Sequence, residues 1–179
     1  MDVIERSRRG DPDSFAELYR QYKNLVFKTA YLILGDPADA EDVLQDVFVK
    51  LASALPGFDP RRASFSTWLY RITVNHCLNQ RRKIRPDAAA SVESAHSLES
   101  QVAADLDLAR ALSALSDKLR AAVVLRYYAG LAYDQIAEVL NVPVGTVKSR
   151  LNQAIQTMRA AMTPAPESLP DTTLGKEGI

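Results

Sequence analysis

Residues 131–159, LAYDQIAEVLNVPVGTVKSRLNQAIQTMR, constrain the fold more tightly than any other stretch, because two helical periods meet there across a very short break. In the first, Ile136, Ala137 and Leu140 recur at i, i+1 and i+4 and so share one face, and Asn141-Val142-Pro143 then ends the run with turn chemistry. The second begins near Pro143. Advancing about 100° per residue from Val147, the side chains of Leu151, Ala154, Ile155 and Met158 stay within one apolar arc, while Lys148, Ser149, Asn152, Gln153 and Gln156 fall opposite. Two amphipathic helices with so tight a turn, and the small Gly145 just after it, predict a helix-turn-helix.

The polar face of the second helix holds many hydrogen-bonding groups and few charges. Base edges in a major groove are read by short directional donors and acceptors, which Thr146, Lys148, Ser149, Asn152 and Gln153 supply, and Arg150 on the flank suits a phosphate. A surface helix of any kind has a polar face, so this arc alone says little. The preceding helix and turn make duplex DNA the expected ligand.

The formal net charge of zero argues against a nucleic-acid binder only until its distribution is considered. Residues 60–86 carry seven basic residues and no acidic one, whereas residues 29–49 carry five acidic residues and no basic one. These are two opposed surfaces. A single cysteine, Cys77, excludes an internal disulfide, and Cys77, His76 and His96 have no metal-ligand spacing. No apolar run long enough to span a bilayer and no signal peptide is encoded, so a soluble, cytoplasmic protein without membrane insertion is expected.

Along the chain, Gly10-Asp11-Pro12 ends a polar start, and Asp13 is placed to cap a helix carrying Phe15, Leu18, Tyr19, Tyr22, Leu25 and Val26. Gly35-Asp36-Pro37 stops it, with Asp36 as the next cap and Pro37 tolerated in the first turn. Ala40, Val43, Leu44, Val47, Phe48 and Leu51 then keep helical spacing without a miss, leaving Asp39, Glu41, Asp42, Gln45 and Asp46 on the other face. Acids near a helix N-terminus are favoured by its dipole, so a solvated face and a binding face both fit.

Residues 55–63, LPGFDPRRA, form a loop rich in turn formers, with Phe58 as an exposed aromatic candidate beside Arg61 and Arg62. Ser64 or Ser66 starts a helix with Phe65, Trp68, Leu69 and Ile72 inward and Arg81-Arg82-Lys83 near its end. A helix dipole calls for one or two cations there, not such a block. Basic residues interleaved with Phe58 and Tyr70 suit single-stranded DNA, where cations hold the backbone and aromatic faces stack on unpaired bases. Trp68, one turn from Phe65 and Ile72, belongs to the core, and His76 and Cys77 are ordinary helix residues.

Taken with DAEDVLQDVFVKL and FSTWLYRITVNHCLNQRRK upstream, the segment LRYYAGLAYDQIAEVLNVPVGTVKSRL resembles the extracytoplasmic-function sigma factors of bacterial RNA polymerase, three motifs in order over residues 13–160. The resemblance implies that the helix with the acid face docks on the clamp helices of the polymerase's largest subunit through Asp39, Asp42, Gln45, Asp46 and Val49. It implies a further contact with the polymerase flap. The loop and following helix would capture the melted strand of the −10 element through Phe58, Arg61, Arg62, Tyr70, Asn75, Asn79, Arg81, Arg82 and Lys83. The second helix of the helix-turn-helix would read the −35 element, and an anti-sigma factor becomes an expected partner. Two departures stand out: Ala132 replaces a capping Ser or Thr, and Gln153 and Gln156 replace Arg.

The expected fold is all-α: a helical domain over 1–86, a flexible linker over 87–103, a helix-turn-helix domain over 104–162 and a disordered tail over 163–179. No paired carboxylates, nucleophile triad, phosphate-cradling loop or metal cluster can be assembled, so neither catalysis, a cofactor nor a small-molecule substrate is expected. The rival reading is a free-standing regulator that binds duplex DNA through the same helix-turn-helix. It leaves the Phe58 loop and its basic neighbours unexplained.

Overall fold

The computed structural model describes residues 2–84 and 103–162, and all regular elements among these are helical. The expected linker, apart from Ala103 at its end, and the expected tail lie outside the described residues.

Helix α1 spans Val3–Arg8 and α2 spans Pro12–Leu34. The cap of α2 is Asp11, two residues earlier than the sequence implied: its carboxylate accepts from the Asp13 N–H at 3.3 Å, and Pro12 opens the helix. Gly35 ends it with φ of 79°, a left-handed conformation open to glycine without strain. Asp36 then caps α3, Pro37–Ala54, accepting from the Asp39 N–H at 3.0 Å. A 3₁₀ turn, Leu55–Gly57, leads into the loop before α4, Phe65–Ile84, which Ser64 caps through the Thr67 N–H at 3.1 Å.

In the C-terminal half, α5 (Ala103–Ser113) and α6 (Asp117–Val123) precede a π-helical turn, Val124–Tyr128. Ser116 occupies the N-cap position of α6, but its hydroxyl makes no capping bond. The π turn closes with Ala129 N–H on the Val124 carbonyl at 3.0 Å, and Gly130, at φ of 69°, ends the helical run. The helix-turn-helix follows as α7 (Tyr133–Leu140) and α8 (Val144–Met162), with Asn141 left-handed at the turn. The missing cap at Ala132 is half replaced: the Gln135 side-chain oxygen accepts from the Ala132 N–H at 2.9 Å.

Burial of the predicted apolar stripes holds the helices together. Val43, Val47 and Leu51 of α3 are fully buried against Leu18, Val26 and Ile33 of α2 and Leu69 and Val74 of α4. Ile136, Val139, Val147, Leu151 and Ala154 fill the C-terminal core. The two cores are continuous: α7 lies along α4, and α6 touches both α2 and α4. No helix among the described residues is long and apolar enough to cross a membrane.

Candidate nucleic-acid interface

Helix α8 turns Val147, Leu151 and Ala154 inward, which by helical phase pushes Lys148, Ser149, Asn152 and Gln153 into solvent, where all four are exposed. Thr146 and Arg150 are half-buried on the flanks. The Ser149 hydroxyl donates to the Thr146 carbonyl at 3.0 Å, keeping an acceptor lone pair outward. The open face is therefore amide-rich, with Lys148 as its exposed cation. Behind it, the Arg126 guanidinium lies 5.1 Å from the centre of the Tyr133 ring and donates to the Leu131 carbonyl at 3.0 Å, bracing the start of α7.

On α3, the phase that buries Val43 and Val47 exposes Asp42, Gln45, Asp46 and Val49, with Asp39 half-buried. Val49 is 72% exposed, an apolar side chain left open in an acid surface. Two of the acids are oriented from α4. Gln80 donates to Asp39 at 3.2 Å, and His76 Nε2 lies 3.1 Å from Asp46. Because the Lys50 ammonium can only donate, its 2.8 Å contact with His76 Nδ1 leaves Nε2 to carry the proton toward Asp46. His76, ordinary by sequence, ties α3 to α4; no residue pattern marks such a bridge.

The strand-binding set divides. Asn75, Asn79 and Arg82 are exposed along α4, Arg61 and Arg62 are exposed in the loop, and Lys83 stands in the last turn of α4. Phe58 is not an exposed platform: its ring is 4% exposed, set edge-on to Phe65 at 5.5 Å and tilted over Trp68 at 5.0 Å. Loop aromatics bury when a neighbouring helix offers an apolar socket, and here the first turn of α4 does so. Tyr70 is also buried, and that burial, with the nearby Tyr128 phenol, holds its hydroxyl above the usual pKa. Arg81 is turned inward as well, donating to the Leu34 carbonyl and lying 3.8 Å from Asp117.

What the loop presents instead is an open depression of about 400 Å³ lined by Arg8, Gly57, Phe58, Asp59, Pro60 and Arg61. Asp59 shapes it by accepting from the Arg61 backbone N–H and side chain, each at 3.0 Å, and these bonds hold its carboxyl below the usual range. Cys77 is buried, with its thiol pushed up to about 12 by desolvation, and so is chemically quiet. Among the described residues no cluster of His, Cys, Asp and Glu could hold a metal ion.

Residues 18–86 match the family model of Sigma-70 region 2, and residues 105–158 match that of Sigma-70, region 4. An acid-faced helix and an open recognition helix on one chain are thus the two halves of a sigma-type transcription initiation protein. The sequence is 34% identical over 174 residues to the ECF RNA polymerase sigma factor SigW of Bacillus subtilis, covering 87% of this chain and 92% of that one. It is 35% identical over 172 residues to the ECF RNA polymerase sigma-E factor of Escherichia coli K12, covering 85% and 88%. A solved structure of CnrH in complex with the cytosolic domain of CnrY superposes with a TM-score of 0.66 at 27% identity, over 88% of this chain and 93% of that one. The sigma factor RpoE of Bartonella quintana, solved with the anti-sigma factor NepR, shares the fold with a TM-score of 0.67 at 22% identity, over 85% and 98%. The chain belongs to the extracytoplasmic-function sigma factors and directs RNA polymerase to promoters; a free-standing regulator is not favoured.

Proposed function

We propose a division of that work among three surfaces. The α3 face of Asp39, Asp42, Gln45, Asp46 and Val49 docks on the polymerase clamp helices, while the C-terminal half meets the flap. The α8 face of Thr146, Lys148, Ser149, Arg150, Asn152 and Gln153 reads the −35 duplex. The melted −10 strand runs along Asn75, Asn79, Arg82 and Lys83, with its backbone near Arg61 and Arg62 and an unpaired base in the depression beside Arg8. Phe58 supports that depression from below. The protein works in the cytoplasm and carries no catalytic chemistry of its own, and an anti-sigma factor restrains it, a reading supported by relatives solved in such complexes.

The observation that carries this reading is the exposed α3 face. Val49, 72% exposed, stands beside Asp39 and Asp46, which Gln80 and His76 hold in place from α4, so a partner would meet an apolar contact set within fixed charges. Separating about ten base pairs costs roughly 14 kcal/mol, more than a few stacked bases on a chain this small can offset, so the polymerase must share the work. The test is competition for core polymerase: Asp42→Lys with Asp46→Lys should abolish association while the far-ultraviolet circular dichroism stays helical. Undiminished competition by this double variant would move the docking surface elsewhere.

A further inference from the structure

Asp46 and Lys50 stand one turn apart on α3, the spacing at which a carboxylate and an ammonium on one helix ordinarily pair. Here an imidazole from α4 stands between them. The Lys50 ammonium lies 2.8 Å from His76 Nδ1, and His76 Nε2 lies 3.1 Å from Asp46 Oδ2. An ammonium can only donate, so Nδ1 is the acceptor, Nε2–H the donor, and the ring is neutral in this arrangement. The His76 side chain is 15% exposed and that of Asp46 62%. A largely buried ring thus fixes an open carboxylate by one oxygen, and it keeps Lys50 from neutralising that carboxylate directly.

The other charged groups that reach α4 do so elsewhere along its length. Gln80, one turn on, holds Asp39 of α3; Arg81 meets Asp117 of α6, and Arg71 meets Glu138 of α7. Helix α2 meets α4 through the Tyr22 ring on Phe65 and the Leu34 carbonyl on Arg81. Against the ring of His76 stand Asp46 and Lys50. A second proton must enter at Nδ1, since Nε2 already carries one. It displaces Lys50 and leaves an imidazolium against Asp46, cancelling the charge that the docking face presents. Among ordinary side chains, imidazole is the one that gains its proton between about pH 8 and 5.

We propose that His76 is a positioning residue for polymerase docking: a neutral ring inserted between Asp46 and Lys50 holds the Asp46 carboxylate charged and open to a partner, and a protonated ring withdraws that charge, so docking weakens as pH falls. This rests on the assignment of the α3 face to the polymerase. Docking selects the neutral ring, so the docked form binds fewer protons than the free chain, and affinity falls wherever the free chain becomes protonated. With nine molecules in ten protonated, the apparent affinity drops about tenfold.

The full chain, carrying an N-terminal fluorophore, is titrated with core polymerase at pH 7.5 and 5.5 and constant salt, followed by anisotropy. Between the two, the unaltered chain should lose at least about threefold more affinity than His76→Gln, whose amide can donate to Asp46 and accept from Lys50 but gains no proton. The same polymerase serves both, so its own titration cancels. At pH 7.5, His76→Ala should bind at least about threefold more weakly, because Lys50 then pairs with Asp46. His76→Gln should escape most of that loss, and Lys50→Gln added to His76→Ala should mend it, which it would not do for a mere packing defect. Equal pH ratios for the unaltered chain and His76→Gln overturn the proposal, as does a His76→Ala chain that binds normally or whose deficit Lys50→Gln leaves untouched. Undiminished binding by Asp42→Lys with Asp46→Lys overturns instead the assignment of the α3 face.

Discussion

Phe58→Ala separates a core aromatic from a base-stacking one by the size of a stability loss. The ring is 4% exposed and meets Phe65 at 5.5 Å and Trp68 at 5.0 Å, so truncation removes buried apolar surface, two ring contacts and leaves a cavity. Phe→Ala at such sites costs about 3 to 5 kcal/mol. For a chain of 179 residues with a continuous core each kcal/mol lowers Tm by roughly 2 to 4 °C, so a drop of at least about 6 °C is expected. Thermal melts followed by far-ultraviolet circular dichroism measure it, with Phe58→Leu, which keeps most of the volume, recovering the larger part. An exposed stacking ring behaves oppositely, since surface truncation changes stability by about 0.5 kcal/mol at most. A melt within about 2 °C of wild type, accompanied by loss of promoter opening, would place the ring outside and refute the burial argument.

Asp36→Ala removes the α3 cap and should cost about 0.5 to 2 kcal/mol, read as a lower urea midpoint with unchanged slope. Asn152→Ala should cost about 1 to 3 kcal/mol on a cognate −35 site and relax preference at one base, whereas Arg150→Ala should weaken cognate and scrambled duplexes alike in an anisotropy titration. Equal losses for both variants on scrambled DNA would remove that division of roles. Because burial raises the Cys77 thiol to about 12 from an ordinary value near 9.0, the stability it lends is complete below about pH 9 and fades as pH climbs toward 12. Iodoacetamide at pH 8 should accordingly modify the unfolded chain but not the native one, as mass spectrometry would show.

Periodic segments were legible because their physics is local. The stripes of α3 and of the helix-turn-helix, the Asp36 cap and the Gly35 stop all depend on spacings of a few residues, and the structure reproduces them. Phe58, Tyr70 and Arg81 misled because an aromatic or cation written beside a basic run gives no sign of the distant surface that will cover it. Helix α1 is six residues of mixed charge, too short for a readable period, and the Val124–Tyr128 π turn differs from an α-turn in bonding and not in residue type. Arg120, between Leu119 and Ala121, looks like a surface cation until the carbonyls from both halves are seen around it. The exposed faces of α3 and α8 were the readable part of the site, since burying one side of an amphipathic helix dictates which residues the other side shows.

Core polymerase starts at particular promoters only when this chain directs it. Core enzyme with and without the purified chain, transcribing fragmented genomic DNA, would have its RNA 5′ ends mapped and unpaired thymines detected by permanganate. Discrete start sites are expected only with the chain, each with thymines opened just upstream, and they should disappear with the Asp42→Lys and Asp46→Lys double variant. Unchanged start sites, from a chain that protects duplex DNA without polymerase, would contradict it.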